Sequence, residues 1–301
     1  MSGVVEVTLE QIHWYPGHMA RTRKMIQEAR SLVDVVLELV DARLPKASAN
    51  PMLDTLLAGK PRLLVMTRAD MADPKVSRAW VEYYVRHGRA ALPLDARTGH
   101  GTEKLLPRVR ALAPKRSAPV GTQLRPRAVR MMIVGIPNVG KSSLINRLSH
   151  RAGTKIGDRP GITKTLQWIH VADAQLLDTP GILWPKLEDQ QAARMLAISG
   201  AIKPELLDEE ELCKTFIPWV HQHYPGLLAE RYGVDEEILS VVADELGPPL
   251  LELLERIGLR RGLVRTGGAP DTLRAAELVI REVQTGKLGR LSLEWPTESG
   301  D

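Results

Sequence analysis

Eight residues, Gly135-Ile-Pro-Asn-Val-Gly140-Lys141-Ser142, stand between an apolar β-branched run (Val129–Val134) and a stretch of helical character (Leu144–Leu148). The pattern G-x-x-x-x-G-K-[ST] between a strand and a helix belongs to phosphate-binding loops. Glycines let successive backbone N–H groups turn inward, and the helix N-terminus adds its positive end, so the loop cradles phosphate oxygens. Asn138, Val139, Gly140, Lys141, Ser142 and Ser143 would line that cradle. Lys141 would reach the β- and γ-phosphates, and the Ser142 hydroxyl would coordinate Mg²⁺. A nucleoside-triphosphate site is expected.

The surroundings fit an α/β fold. From about residue 34 to 200, apolar β-branched runs alternate with amphipathic segments, the signature of a mainly parallel sheet flanked by helices. Strands are predicted at 35–40, 63–66, 90–94, 129–134, 166–171 and 175–177, and helices at 51–58, 74–87, 101–112, 142–150 and 188–199. Residues 113–127, rich in Pro, Gly and charge, read as a linker. Beyond Gly200 strand signals cease. Helices are then predicted at 209–223, 235–246, 249–257 and 271–285, giving a small all-α domain over 201–301 after an α/β domain over 1–200.

Two further elements belong with the phosphate loop. Asp178-Thr-Pro-Gly181 follows Leu176-Leu177 at a strand's end. At such a place Asp178 would help hold Mg²⁺, and the Gly181 N–H would sense the γ-phosphate. Between them, Gly157–Thr165 reads as a switch loop, with Thr163 the first choice for completing the metal shell and Thr165 the reserve. Guanine is ordinarily read by N-K-x-D at a strand's end, whose Asp takes two hydrogen bonds that adenine cannot supply. Here Leu63–Met66 runs into Thr67-Arg68-Ala69-Asp70. Asp70 stands in the discriminating position, Arg68 would lie over the purine, and Thr67 replaces the Asn. That replacement removes polar groups on which base selectivity depends. Asp95-Ala96-Arg97, after the next strand, takes the place of an S-A-K turn.

The order of these elements is unusual. In an ordinary G domain the phosphate loop comes first and the base-reading loops last; here the base-reading loops come first. No N-K-x-D candidate follows residue 181. The expected fold is therefore a circularly permuted phosphate-loop G domain, rejoined through the 113–127 linker.

Composition narrows the rest. The formal net charge is +5, but residues 256–293 carry eight basic and three acidic residues, whereas 201–255 carry three basic and thirteen acidic ones. A basic cluster of this kind suits a phosphate-rich partner, although an Arg-rich solvated surface would look the same. The single cysteine, Cys213, excludes an intrachain disulfide, and His221 with His223 lacks the further ligands of a metal site. No apolar run approaches the roughly 18 residues of a membrane span, and residues 1–11 show no targeting pattern, so a cytoplasmic location is expected.

Trp14-Tyr-Pro-Gly-His18-Met, Leu39-Val-Asp41-Ala-Arg43, Thr67–Asp70, Gly135–Ser142, Gly157–Thr163 and Asp178-Thr-Pro-Gly-Ile-Leu-Trp-Pro185 together resemble the circularly permuted GTPases, and among them the ribosome biogenesis GTPase A (YlqF) family. The likeness runs from about residue 11 to Gly286–Ser292; Thr67 and Arg68 depart from its usual Asn-Lys. The resemblance implies GTP hydrolysis to GDP and phosphate in late assembly of the large ribosomal subunit, stimulated by that subunit. It also implies a helical C-terminal domain contacting ribosomal RNA, with ribosomal proteins as neighbours. Ile182 occupies the place of the water-orienting glutamine of many GTPases and cannot bond water. His18, in a loop made by Pro16-Gly17, is the substitute that the family suggests. Asn138 matches the asparagine with which potassium-activated GTPases hold K⁺. Two other readings compete: a GTP-switched regulator of non-ribosomal partners, and a non-hydrolysing, nucleotide-dependent RNA-binding module.

Overall fold

Seven consecutive residues, Val35–Asp41, form a strand with every side chain buried. A run without polar alternation, apart from Glu38 and the terminal Asp41, suits the middle of a parallel sheet covered on both faces. This is β1 of the computed structural model, which describes residues 17–114, 128–151, 166–183, 189–202, 208–244 and 247–297. Expectations for Thr163 and Thr165, and for the linker from residue 115 to 127, lie outside the described residues. The chain divides into two compact units, residues 1–188 with 292–301 and residues 189–291. The helix at 190–198, placed above with the first domain, therefore belongs to the second unit, and the chain's last ten residues belong to the first.

In the first unit β1 lies beside β2 (Arg62–Thr67) and β4 (Val129–Gly135), within a sheet of order β3-β2-β1-β4-β6-β5. β3 is Ala90–Pro93, β5 Gln167–Val171 and β6 Ala174–Asp178. All neighbours are parallel except β5 with β6. Register sets Asp41 opposite Thr67, Leu39 opposite Gly135, Met66 opposite Pro93 and Ile133 opposite Asp178. The carboxyl ends of five parallel strands thus share one edge. The chain's strand order reverses between β1 and β4, and a crevice outside such a reversal is where open α/β sheets take ligands.

Helices α1 (Gly17–Ala29), α2 (Met52–Leu56), α3 (Pro74–Arg86), α4 (Leu105–Leu112) and α5 (Lys141–Arg151) complete the unit. α1 corrects the expectation of a loop at Gly17. Thr22, Ile26 and Ala29, spaced four and three apart, are all buried, which makes a helical stripe too sparse to announce itself between charged residues. α3 starts where the sequence directs: Asp73 accepts hydrogen bonds from the Lys75 and Val76 amides, and Pro74 takes the first turn. Its inner face sets Trp80 stacked on Tyr84 with ring centroids 5.5 Å apart, over Val40, Leu64 and Met66.

The second unit is helical: α6 (Gln190–Ile198), α7 (Glu209–His223), α8 (Leu227–Tyr232), α9 (Glu236–Asp244), α10 (Pro248–Arg260) and α11 (Thr272–Thr285). Leu212, Phe216, Ile217, Leu253, Val279 and Ile280 are buried at its centre. Cys213 is buried there as well, and burial pushes its thiol pKa upward. Glu282 is buried but accepts hydrogen bonds from Arg231 Nε at 2.8 Å and Tyr232 Oη at 3.0 Å. Among the described residues no helix is long and apolar enough to cross a membrane.

Truncating the buried, stacked Trp80 to Ala should cost about 3–5 kcal/mol. Thermal denaturation should show that as a fall of roughly 10 °C in Tm; a change below about 2 °C would contradict the packing described.

Candidate nucleotide-binding site

The phosphate loop takes its shape from close contacts and a left-handed backbone that favour glycine. At Gly135 a Cβ would lie 2.7 Å from the Leu39 carbonyl oxygen of β1. Gly140 has φ +100° and sits against the Thr67 side chain. At Gly181 a Cβ would stand 3.0 Å from Pro137 Cα and N and 3.2 Å from Lys141 Nζ. The D-T-P-G segment is thus pressed onto the phosphate loop. Thr179 Oγ1 donates to the Ile133 carbonyl at 2.6 Å, and the Ile182 amide to the Gly135 carbonyl at 3.1 Å. Lys141 Nζ donates to the Gly135 and Ile136 carbonyls at 3.0 and 2.7 Å. Burial pushes its ammonium pKa down to about 8, against the opposing charge of Asp178. Val139 is buried, while Ser142, Ser143 and Asn138 are exposed.

The end of β2, Thr67–Asp70, is bound to the same loop. Thr67 is buried, and its hydroxyl lies 3.0 Å from the Val40 carbonyl and 2.5 Å from the Val139 carbonyl, with one proton for the two. Arg68, at φ +57°, donates from Nη2 to the Asn138 carbonyl at 2.6 Å, and Asn138 is itself at φ +55°. Two non-glycine residues in this region within one contact mark strain of the kind found at ligand sites. Asp70 follows in the turn, where Arg97 Nη2, itself largely exposed, reaches its Oδ2 at 3.0 Å.

The loop that follows β3 is ordered by Asp95. The buried carboxylate accepts from the Arg97 and Thr98 amides at 2.7 and 3.0 Å and from the Thr98 hydroxyl. Burial raises its pKa, but these hydrogen bonds outweigh it and hold the carboxyl below the usual value. Arg147 of α5 donates to the Ala96 carbonyl at 2.8 Å and to that of Arg97, which ties this loop to the helix leading out of the phosphate loop.

Sequence elements more than 100 residues apart therefore meet at one sheet edge, and relatives share nearly the whole of this chain. A ribosome biogenesis GTPase A of Bacillus cereus is 43% identical over 96% of each chain. The chain belongs to the ribosome biogenesis GTPase A family. It is accordingly a GTP-binding GTPase with a role in ribosome biogenesis. The family member of Thermotoga maritima is 30% identical over 95% of each chain. A crystal structure described as GNP-bound YlqF from T. maritima is 27% identical, with a TM-score of 0.63 over 92% of this chain and 98% of that one. A structure described as GDP-bound YlqF gives a TM-score of 0.64 over 90% of this chain and 98% of that one, again at 27% identity. The family model for a 50S ribosome-binding GTPase matches residues 130–221, from the phosphate-loop strand onward.

Among the residues that the family pattern and spacing single out, the structure gathers Thr67, Arg68, Asn138, Val139, Gly140, Lys141 and Gly181, and links Asp70 with Arg97 and Ala96 with Arg147. Asp178 ends β6 beside Lys141. His18 lies in the first turn of α1, not in a loop, and its side chain is outside the described residues. Other residues of the site were not among those assigned to nucleotide or metal. Asp41 is fully buried, and its carboxylate takes bonds from Arg43 Nε and Nη2 at 3.0 and 2.8 Å and from Arg68 Nη1 at 3.2 Å. Burial would raise its pKa; Arg43 and Arg68 overcome that and hold it below the ordinary carboxylate value. Asn50 Nδ2 donates to the Ile182 carbonyl at 3.0 Å. The one available signal was Asp41-Ala-Arg43 at a strand's end, opposite charges two residues apart in an apolar run.

Because the folded pKa of Asp41 is the lower one, its stabilising contribution is complete above about pH 4 and fades as pH falls through the folded value. Asp41→Asn, which leaves Arg43 buried without its counter-charge, should cost about 3–5 kcal/mol at neutral pH. The gap to wild type in thermal melts should narrow below pH 4; a gap that widened on acidification would refute the assignment.

Proposed function

We propose that this GTPase has a circularly permuted G domain that binds GTP with Thr67–Asp70 and Asp95–Arg97 around the base and Asn138–Ser143 around the phosphates, and that it acts in the cytoplasm in late large-subunit assembly. The observation that carries the reading is the pair of bonds from Thr67 and Arg68 to the Val139 and Asn138 carbonyls, which join the base-side strand to the phosphate loop across some seventy residues of sequence. Its sheet order, and a family model that begins only at residue 130, support the permutation.

Asp70 reads the guanine edge by accepting from N1–H and the 2-amino group, displacing an exposed Arg97 pair of the kind that contributes little. Arg68, its guanidinium fixed by Asp41 and the Asn138 carbonyl, covers the base. The Ala96 N–H, in the loop whose Ala96 and Arg97 carbonyls Arg147 holds, serves the O6 side. Lys141 exchanges loop carbonyls for phosphate oxygens, which restores to the buried ammonium a full counter-charge. Gly181, against Pro137, presents its amide to the γ-phosphate.

The residues fit Mg²⁺. Ser142 is exposed at the start of α5, and Asp178 ends β6 beside Lys141; Thr163 would complete the set. Among the described residues no group of three His, Cys, Asp or Glu could hold a metal, as expected for an ion that takes most of its ligands from phosphates and water. When bound it neutralises developing charge on the phosphates. A K⁺ ion beside Asn138 is a subsidiary reading, supported by that residue's exposure at the loop tip and tested by exchanging K⁺ for Na⁺.

Ile182 is fully buried, with its amide on Gly135 and its carbonyl on Asn50, so it is an anchor and not a partner for water. His18 takes the water-orienting role, and the large subunit brings it into place. In the second unit Arg260, Arg261, Arg274, Arg281, Lys287 and Arg290 are exposed and supply the surface for ribosomal RNA. Arg256 is spent on Asp235 and Glu252.

GTP turnover with and without large subunits tests the whole. Asp70→Asn should lose about 100-fold in GTP affinity, two charge-assisted hydrogen bonds being involved. His18→Ala should bind GTP normally yet lose at least about 100-fold of the stimulated rate. Undiminished stimulation in His18→Ala removes the histidine from the mechanism; equal binding of GTP and ATP by wild type removes Asp70 as base reader.

A further inference from the structure

The chain's last described residues, Ser292–Thr297, return to the first unit. Their contacts fall on the loop of residues 42–50 and on Trp80 of α3. The Leu293 amide donates to the Arg43 carbonyl at 2.6 Å. The Glu294 carboxylate accepts from the Lys46 amide at 2.9 Å and the Ala47 amide at 3.2 Å. Its carbonyl accepts from Trp80 Nε1 at 3.1 Å, and Trp295 packs against the apolar cluster around Trp80. A carboxylate on two adjacent amides, a main-chain bond and a docked indole make a built attachment, not a fraying end.

That loop is the crossing point of the nucleotide site. At its start Ala42 N–H bonds the Thr67 carbonyl at 2.8 Å, and the Arg43 guanidinium holds the Asp41 carboxylate that in turn holds Arg68. Midway, the Ser48 hydroxyl bonds the Leu44 carbonyl and receives the Asp41 amide. At its end Asn50 holds the Ile182 carbonyl, directly after Gly181. One loop thus touches the base-side strand at one end and the γ-phosphate side at the other, and the tail grips it between them.

We propose that the C-terminal tail is a positioning element for the nucleotide site, with Glu294 its principal residue, and that release of the tail from the 42–50 loop weakens guanine-nucleotide binding. This rests on the nucleotide reading given above. By linkage the coupling is reciprocal: bound nucleotide holds the tail in place, so the tail's attachment reports the nucleotide state to whatever contacts it.

The test uses the full chain with a fluorescent GDP analogue, mant-GDP, together with amide hydrogen exchange. In Glu294→Ala, exchange at Lys46 and Ala47 should accelerate, and mant-GDP should dissociate about five- to tenfold faster, the lower part of the range for coupled sites. Glu294→Gln, which keeps an acceptor oxygen, should recover most of the difference. Leu293→Pro removes the other donor and should act in the same direction. A merely structural role would lower Tm without moving the dissociation rate at temperatures where every variant is folded. Release of the loop by exchange, with dissociation within twofold of wild type, would overturn the proposal and leave the nucleotide reading standing. Wild type that failed to bind mant-GDP would overturn both. Should Glu294→Ala not fold, the comparison of Glu294→Gln with Leu293→Pro decides in the same terms.

Discussion

The buried carboxylate of Asp41 is where the first unit's separate segments are held to one geometry. It ends the central strand, in register with Thr67, and takes both Arg43 and Arg68. A charge in such a place is costly to desolvate and is tolerated only with its partners in good geometry. Arg43 therefore has to be buried with it, the 42–50 loop has to fold back over β1, and Arg68 has to bend into a left-handed conformation to reach both Asp41 and Asn138. The strain at Arg68 and Asn138 follows from that hub.

The glycines form the complementary constraint. Gly135 and Gly181 stand where backbone approaches backbone too closely for a Cβ to fit without a shift, and Gly140, against Thr67, takes a φ of +100° that other residues rarely adopt. They bring the ends of β4 and β6 and the side of β2 into contact, so that the phosphate loop, the Asp178–Gly181 segment and Thr67–Asp70 share one edge. These contacts depend on which strands are neighbours and not on which comes first, as the permuted order proposed for this domain requires.

Much of this was legible in the sequence. The six strands lie within a residue or two of their predicted spans, because buried parallel strands write themselves as β-branched runs. α3 begins where Asp73 caps it and Pro74 takes its first turn, and α11 runs from its cap Asp271 to the left-handed Gly286, close to the predicted spans. What the sequence hid had physical reasons. α1 buries too few side chains to make a pattern, and α8 is only six residues long between two left-handed glycines. The roles of Arg43, Asn50, Arg147 and Glu294 depend on partners 2 to 248 residues away, and composition says nothing of such pairings. The tail looked like the end of a helical domain because nothing in Leu291–Trp295 shows which core its apolar residues enter.

The departure at Thr67 and Arg68 is better understood as one change than as two. An asparagine brings two N–H donors and a lysine three on a single nitrogen; a threonine brings one donor and an arginine five in a planar fork. Thr67 retains a reach to the Val139 carbonyl but must share its proton with Val40, so the strut it makes to the phosphate loop is the weaker one. Arg68 supplies the second strut, to the Asn138 carbonyl, while its other terminal nitrogen remains on Asp41. A lysine's single nitrogen would have to divide itself between these two acceptors, whereas the fork serves both. The lost amide at position 67 and the gained guanidinium at 68 therefore offset each other at adjacent carbonyls of the same loop, and Asp41 is what makes the exchange geometrically possible.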